Sequence, residues 1–346
     1  MERQRQGEIF ICTWATWYMQ EPLPLLIVED LKTYFYTRRG VVKAVDGVSF
    51  TLNAGETLAL VGESGSGKSV TCLSLVRLVP EPAGKIVGGQ VLFAGEDLLR
   101  KSATEMRRVR GKHIAMVLQD PMTSLNPALT IGVQVAEVVR LHQGVRGATL
   151  RARVLEALTR LRIPGAAARL RHYPHQLSGG TRQRVSSDIA TSCVPRLLIA
   201  DEPTTSLDVT IQAQYLDLLK EVQEQTGVAI ILVTHDFGIV AANADRVAVM
   251  YAGRIVEMGS TLQVFDAPSH PYTQALLHCL PSVELQRQHL VEIGGQPPDL
   301  AHLPPGCPFA PRCPQRRSIC EEAYPLPVAV AQGHVALCWA ATEVSA

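Results

Sequence analysis

Gly62-Glu63-Ser64-Gly65-Ser66-Gly67-Lys68-Ser69 is the stretch on which the reading of this chain turns. It has the form G-x-x-x-x-G-K-S, follows the apolar run Thr57 to Val61 and precedes Val70 to Leu78. The run reads as a buried strand and the later segment as a helix, the setting in which such a loop cradles phosphate. Glycines let the backbone curl until its N–H groups face an anion. The start of the helix adds partial positive charge. Lys68 has the reach for the β- and γ-phosphates of a nucleotide, and the Ser69 hydroxyl is a ligand type for Mg²⁺. The plain alternative, a Gly/Ser-rich turn, explains the flexibility but not the Lys-Ser ending.

Outward from this loop, the chain of 346 residues has room for two domains or for one large domain with an appendage. Its 33 basic and 32 acidic residues leave a formal charge of +1, which argues against a nucleic-acid partner. A hydrophobic content of 47% supports a full core. The longest apolar runs are of strand length, and none spans a bilayer. Ile9 to Met19, with Trp14, Trp17 and Tyr18, is too short to span and carries no small-residue cleavage site. Residues 1–22 therefore read as a loosely ordered extension, with a membrane-surface contact as the alternative. The eight cysteines, with no export signal, are expected in a reducing compartment.

The alternation of elements predicts the class. Leu25 to Val28 and Val41 to Leu52 read as strands, turned at Arg38-Arg39-Gly40. Gln90 to Phe93, His113 to Leu118, Leu197 to Ala200 and Val228 to Val233 read as further strands. Thr149 to Leu161 and Ile211 to Glu224 have helical spacing, and Val247–Met250 with Arg254–Glu257 reads as a hairpin turned at Ala252-Gly253. Alternating strand and helix implies an α/β fold with a mostly parallel sheet. After about residue 266 prolines crowd the chain, and regular structure is not expected there.

Two more local patterns carry chemistry. The apolar strand Leu197–Ala200 ends in Asp201-Glu202. At the carboxyl edge of a sheet one carboxylate suits Mg²⁺ and its waters, and the next suits a water attacking the γ-phosphate. Leu177-Ser178-Gly179-Gly180-Thr181 reads as a Ser-capped, Gly-rich helix start able to meet an anionic oxygen. Alone, each is more simply an acidic turn or an ordinary cap.

Together they resemble the ATP-binding cassette (ABC) ATPases, the P-loop NTPase fold with an antiparallel β subdomain and a helical subdomain. Leu177–Gly180 matches that family's signature loop, Gln119 its glutamine loop, Ser206-Leu207-Asp208 the loop after the catalytic carboxylate, and Thr234-His235-Asp236 its switch histidine. Gln119-Asp120-Pro121-Met122-Thr123-Ser124-Leu125-Asn126-Pro127, Tyr173-Pro174-His175-Gln176 and His270-Pro271-Tyr272-Thr273 are similar to the oligopeptide/dipeptide importer branch. Nickel and glutathione importers share that branch, so the solute stays open.

The resemblance implies roles residue by residue. Gly62, Ser64, Gly65, Ser66, Gly67, Lys68 and Ser69 bind ATP phosphates, and Ser69, Gln119 and Asp201 serve Mg²⁺. Glu202 polarises the attacking water, His235 contacts the γ-phosphate, and Lys68 completes the catalytic set. Ser178, Gly179, Gly180 and Asp208 serve nucleotide shared with a partner. Phe35 stacks on adenine, with Tyr34 and Tyr36 competing for that role. The implied organisation is an N-terminal extension (1–22), a nucleotide-binding domain (23–265, helical subdomain about 120–185) and a C-terminal extension (266–346). The implied partners are a second ABC ATPase subunit in a heterodimer, two transmembrane permease subunits and, indirectly, an extracytoplasmic solute-binding protein. The implied place is the cytoplasmic face of the inner membrane, held peripherally.

A soluble ABC ATPase of translation or DNA metabolism is the other class. Those usually carry two cassettes or a long coiled-coil insertion, and neither is present here. A non-hydrolysing regulatory subunit predicts damage at Lys68, Glu202 or His235, and none is seen. One departure from the family lies in Val185 to Ser192, where polar residues replace apolar ones. Asp188 there must find a hydrogen bond or sit on a less buried helix.

Cys307, Cys313, Cys320 and Cys338 form a late cluster interleaved with prolines. In a reducing compartment this favours metal over disulfide. The lack of C-x2-C pairs favours an iron–sulfur cluster over zinc, and some members of the similar branch carry one of the 4Fe–4S type. Unligated structural thiols are the remaining alternative. Cys12, Cys72, Cys193 and Cys279 read as packing residues.

Overall fold

The computed structural model describes residues 23–120, 124–205, 207–280 and 292–341. The Trp-bearing N-terminal segment with Cys12, the Pro121–Thr123 part of the glutamine loop, and Ser206 lie outside the described residues.

In chain order the strands are β1 (Leu26–Thr37), β2 (Gly40–Leu52), β3 (Thr57–Val61), β4 (Gly84–Phe93), β5 (Glu96–Asp97), β6 (Ile114–Val117), β7 (Leu197–Asp201), β8 (Ala229–Thr234), β9 (Arg246–Tyr251), β10 (Arg254–Ser260), β11 (Val328–Ala331) and β12 (His334–Ala336). The helices used below are α1 (Lys68–Leu75), α2 (Ala103–Val109), α3 (Ile131–Gln143), α4 (Gly147–Arg160), α5 (Ala166–Arg169), α6 (Gly179–Thr191), α7 (Val209–Thr226), α8 (Phe237–Asn243), α9 (Thr261–Asp266), α10 (Pro271–His278) and α11 (Ile319–Glu322).

A mixed sheet in the order β11-β12-β10-β9-β3-β8-β7-β6 forms the centre. β3, β7 and β8 are buried at every position. That is why they read as unbroken apolar runs, since a parallel strand covered on both faces has no solvent side. β3 pairs in parallel with β8 and β9, and β7 with β6 and β8. A separate antiparallel sheet, β2-β1-β4-β5, packs its apolar face into the same core cluster as Leu58, Leu60 and Leu75. The β9–β10 hairpin turns at Ala252 and Gly253, both at positive φ, which suits the twist of a two-residue turn. A third body of apolar packing joins α3, α4 and the start of α6 through Ile131, Val135, Val139, Leu158, Leu177 and Val185.

Two expectations need correction. The proline-rich C-terminal part does contain regular structure: α10, α11, β11 and β12. β12 pairs antiparallel with β10 and extends the central sheet. Val328 to Ala336 holds no proline, so its N–H groups are free for the ladder.

The second correction concerns α6. It is not less buried for being polar. Its small hydroxyls bond locally: Ser187 Oγ meets Tyr215 Oη at 2.6 Å, and Thr191 Oγ1 donates to Ser187 O at 2.8 Å. Asp188 is 1% exposed, and its Oδ2 has no hydrogen-bond partner. Burial pushes its carboxyl up to about 8, so the group resolves the conflict by keeping its proton.

Candidate functional site

The phosphate loop connects β3 to α1, and its backbone explains its glycines. Gly62 sits at φ 147°, and a Cβ there would lie 2.2 Å from the Met250 carbonyl oxygen. Gly67 caps α1 at φ 107°, and a Cβ there would lie 2.3 Å from Ala44 O. Lys68 is 5% exposed and folds its ammonium back onto the loop. Nζ donates to Gly62 O at 2.7 Å and Glu63 O at 2.9 Å. Burial lowers its pKa, opposed by the nearby charges of Glu202 and Asp201. Ser64 and Gly65 are exposed, while Ser66 is buried.

β6, β7 and β8 lie side by side, so their carboxyl ends bring three chain segments together. Asp201 ends β7, and its Oδ1 accepts from Ser69 Oγ at 3.0 Å. Burial raises the Asp201 carboxyl, helped by the charge of Glu202 and offset by Ser69 and Lys68. Glu202 follows at φ 44°, a left-handed conformation that costs a side-chain-bearing residue on the order of 1–2 kcal/mol. Its N–H is held by Val233 O at 3.0 Å. Its carboxylate collects partners from all three segments. Gln119 Nε2 donates to Oε2 at 2.8 Å, Thr205 Oγ1 donates to the same oxygen at 3.1 Å, and His235 Nδ1 stands 3.7 Å from Oε1.

The structure thus brings Lys68, Ser69, Gln119, Asp201, Glu202 and His235 to one edge of the sheet. Ser178 instead caps α6, accepting from Thr181 N at 3.4 Å, and Gly180 lies against Ile211 of α7, where a Cβ would meet Cγ2 at 2.7 Å. Asp208 caps α7 by accepting from Ile211 N at 3.0 Å. The described hydrogen bonds of Ser178 and Asp208 are local, and none joins them to Lys68 or Glu202. Of the three aromatic candidates, Tyr34 is engaged, its hydroxyl donating to Asp46 Oδ1 at 2.6 Å. Tyr36 is exposed under Lys85. Phe35 is half-buried, on the side of Val79 and Gly84 just beyond α1.

The donor set of Ser69 and Asp201 fits Mg²⁺, which prefers hard oxygen and keeps most of its shell as phosphate and water. Among the described residues no three His, Cys, Asp or Glu side chains are arranged to hold an ion. Cys307 and Cys313 pack against the apolar cluster of Tyr272 and Phe309. Burial pushes the Cys307 thiol up to about 11 and raises Cys313 and Cys338 as well, with the neighbouring thiols adding to each shift. The expectation of an iron–sulfur cluster, or of zinc, gains no support from this arrangement.

Three residues in contact with the site were not anticipated. Thr205, three residues after Glu202, had no role read from the sequence. Tyr272 Oη accepts from Glu63 N at 2.8 Å. Arg312 grips the Glu63 carboxylate at 2.7 and 2.9 Å. The last two come from beyond residue 266, and nothing in their local sequence points back to the loop.

Comparison with known proteins places these features. The chain matches the family described as "ABC transporter" over residues 45–205 and the one described as "Oligopeptide/dipeptide transporter, C-terminal region" over residues 256–320. It is 50% identical over 315 residues to the dipeptide transport ATP-binding protein DppD of Bacillus subtilis, covering 91% of this chain and 94% of that protein. It is 47% identical over 320 residues to the oligopeptide transport ATP-binding protein OppD of Haemophilus influenzae, covering 92% and 98%. Among solved structures it resembles the dimeric post-hydrolysis state of the ATP-binding cassette MJ0796 bound to ADP and Pi, with TM-score 0.62, 25% identity, and 68% and 98% of the two chains covered. The cbiO1 protein of Clostridium perfringens, part of the cbiONQ transporter complex, aligns with TM-score 0.61 and 29% identity, covering 70% and 91%.

Proposed function

The chain belongs to the ABC transporter ATPases, in the group with the oligopeptide/dipeptide C-terminal region, and we propose that it hydrolyses ATP to drive import of di- or oligopeptides through membrane permease subunits. The observation that carries the chemistry is the Glu202 carboxylate, held by Gln119 and Thr205 beside His235, next to the Lys68–Ser69 loop.

In this reading Gly62–Ser69 binds the phosphates and Phe35 faces adenine. Ser69 and Asp201, with Gln119, would hold Mg²⁺, which supplies charge neutralisation at the phosphates. Glu202 orients water for in-line attack and takes its proton, and His235 faces the γ-phosphate side. Positioning and electrostatics supply most of such a rate enhancement, so rigid placement of Glu202 matters more than its basicity. Ser178, Gly179, Gly180 and Asp208 complete the site of a second ATPase subunit, a related but different chain. Two ATPs then hold a dimer whose closing and opening moves the permease pair, which a solute-binding protein feeds. Residues 23–265 form the nucleotide-binding domain, with about 120–185 meeting the permeases, and 266–346 the extension. No described helix is long and apolar enough to cross a membrane. The placement proposed is peripheral, on the cytoplasmic face of the inner membrane.

The test uses a tagged Glu202→Gln chain trapped with ATP in native membranes. Copurification of two permeases and a second cassette subunit supports the proposal. Recovery only in soluble complexes with ribosomal or DNA factors overturns the transport reading.

A further inference from the structure

We propose that Arg312, on the C-terminal extension, is a positioning residue for the phosphate loop, acting by masking and holding back the Glu63 carboxylate. The inference deepens the nucleotide-site reading above and rests on it.

Glu63 is the second residue of a loop that receives a triphosphate. A free carboxylate there opposes the ligand by Coulomb repulsion, and the effect is large where solvent is partly excluded. The structure leaves none of its polar groups free. Its carbonyl accepts from Lys68 Nζ at 2.9 Å, its N–H donates to Tyr272 Oη at 2.8 Å, and its two carboxylate oxygens take the Arg312 fork at 2.7 and 2.9 Å.

Arg312 is itself immobilised. Its side chain is 4% exposed. Nε donates to Gly294 O at 2.9 Å, Nη2 to Ile293 O at 3.3 Å, and Nη1 to Tyr251 Oη at 3.3 Å. A planar guanidinium with every edge engaged has one orientation, and a paired carboxylate follows it. Pro297, Pro298 and Leu300 of the extension close over the same side of the loop, beside Glu63, Ser64, Gly65 and Ser66. Lys68 leans on the Glu63 carbonyl, so the placement of the phosphate-binding ammonium depends on residues more than two hundred positions away.

The experiment measures MgATP affinity of the purified full chain by equilibrium titration, alongside its melting temperature. Arg312→Ala is expected to weaken ATP about tenfold by exposing the Glu63 charge. Adding Glu63→Gln to that variant is expected to restore affinity to within about twofold, because the unmasked charge is gone. In the assembled transporter Arg312→Ala should raise KM for ATP while kcat stays within about twofold. A residue that merely docks the extension would lower the melting temperature without charge-dependent rescue. Lys68→Ala serves as the control. If Lys68→Ala still binds ATP normally, the nucleotide-site reading fails. If Lys68→Ala abolishes binding but Arg312→Ala binds as the parent chain does, or Glu63→Gln brings no rescue, this inference alone is overturned. Should Arg312→Ala not fold, Arg312→Lys keeps the charge and loses the fork. It is expected to weaken ATP severalfold, and unchanged affinity overturns the proposal.

Discussion

Gln119 and Glu202, 83 residues apart in sequence, meet at 2.8 Å, the amide nitrogen donating to the carboxylate. The contact is possible because Gln119 follows β6 and Glu202 follows β7, and those strands are neighbours in register from Ile114–Leu197 to Val117–Ala200. A parallel sheet thereby turns two distant loops into one site. The Gln119 contact, with that of Thr205, fixes the orientation of the carboxylate at the sheet edge.

Replacing Glu202 with Gln preserves size and one hydrogen-bonding oxygen but removes the carboxylate proposed to act as the base. Phosphate release should fall by about 10²–10⁴-fold while MgATP affinity is retained. Steady-state phosphate release and nucleotide binding on the same preparation check it, and near-normal turnover would refute the role.

The loop glycines are not equivalent. Gly62→Ala places a Cβ 2.2 Å from Met250 O in the sheet, so the loop must move and ATP binding should be lost. Gly65 also has positive φ, but a Cβ there meets nothing within 4 Å. Gly65→Ala should cost only the left-handed strain, about 1–2 kcal/mol, and leave measurable binding. Equal losses from both substitutions would show that packing against β9 is not what constrains the loop.

Asp188 makes a pH-dependent prediction. Its folded-state pKa of about 8 is raised above the ordinary carboxylate range by burial, with Arg160 opposing. The folded chain therefore binds a proton that the unfolded chain releases between about pH 4 and pH 8. The corresponding stability is fully present below pH 4 and is lost as pH rises through 8. Asp188→Ala should raise stability, by about 1–3 kcal/mol near pH 8 and less at pH 5. Melting curves at the two pH values decide it, and a gain independent of pH would mean that the carboxyl does not titrate in the fold.

Glu257 is 0% exposed and binds the extension to β10. It accepts from Ser269 N at 2.6 Å and His270 N at 3.0 Å, and His334 Nε2 lies 2.7 Å away. Glu257→Ala leaves the buried His270 N–H, the partly buried Ser269 N–H and the buried His334 imidazole without this partner. The expected loss is about 3–5 kcal/mol, with new protease cleavage between residues 267 and 335. Thermal melts and mapped digestion test this, and an intact extension in the variant would show that its other contacts suffice.

Legibility in the sequence followed distance along the chain. Gly62–Ser69, Asp201-Glu202 and Ser178–Gly180 are each contiguous, so their backbone logic is complete within a few residues. The parallel strands were readable because burial on both faces makes them uniformly apolar. The Arg312–Glu63 pair spans 249 residues, and neither side chain stands in a local pattern that asks for the other. β11 and β12 were missed because proline density around them outweighed two short alternating runs. The cysteine spacing suggested a ligand set, but spacing says nothing of the side-chain geometry, and two of the four thiols, Cys307 and Cys313, pack against the apolar cluster of Tyr272 and Phe309.

β12 adds a time dimension to this architecture. It pairs with β10 through Glu257–Ala336 and Met258–Val335. These contacts have high sequence separation relative to the β9–β10 hairpin beside them. Long-range pairing is slow because the chain must close a large loop before the contact forms. On the ribosome, β3 and its phosphate loop are synthesised long before the strand that seals the β10 edge and before the arginine that restrains Glu63. An unsealed edge recruits other strands, so the nascent cassette passes through an interval in which it is aggregation-prone and its loop unrestrained. Synthesis of Arg312 and β12 ends both conditions, so the phosphate loop is restrained only after a stretch of chain more than two hundred residues downstream has been made.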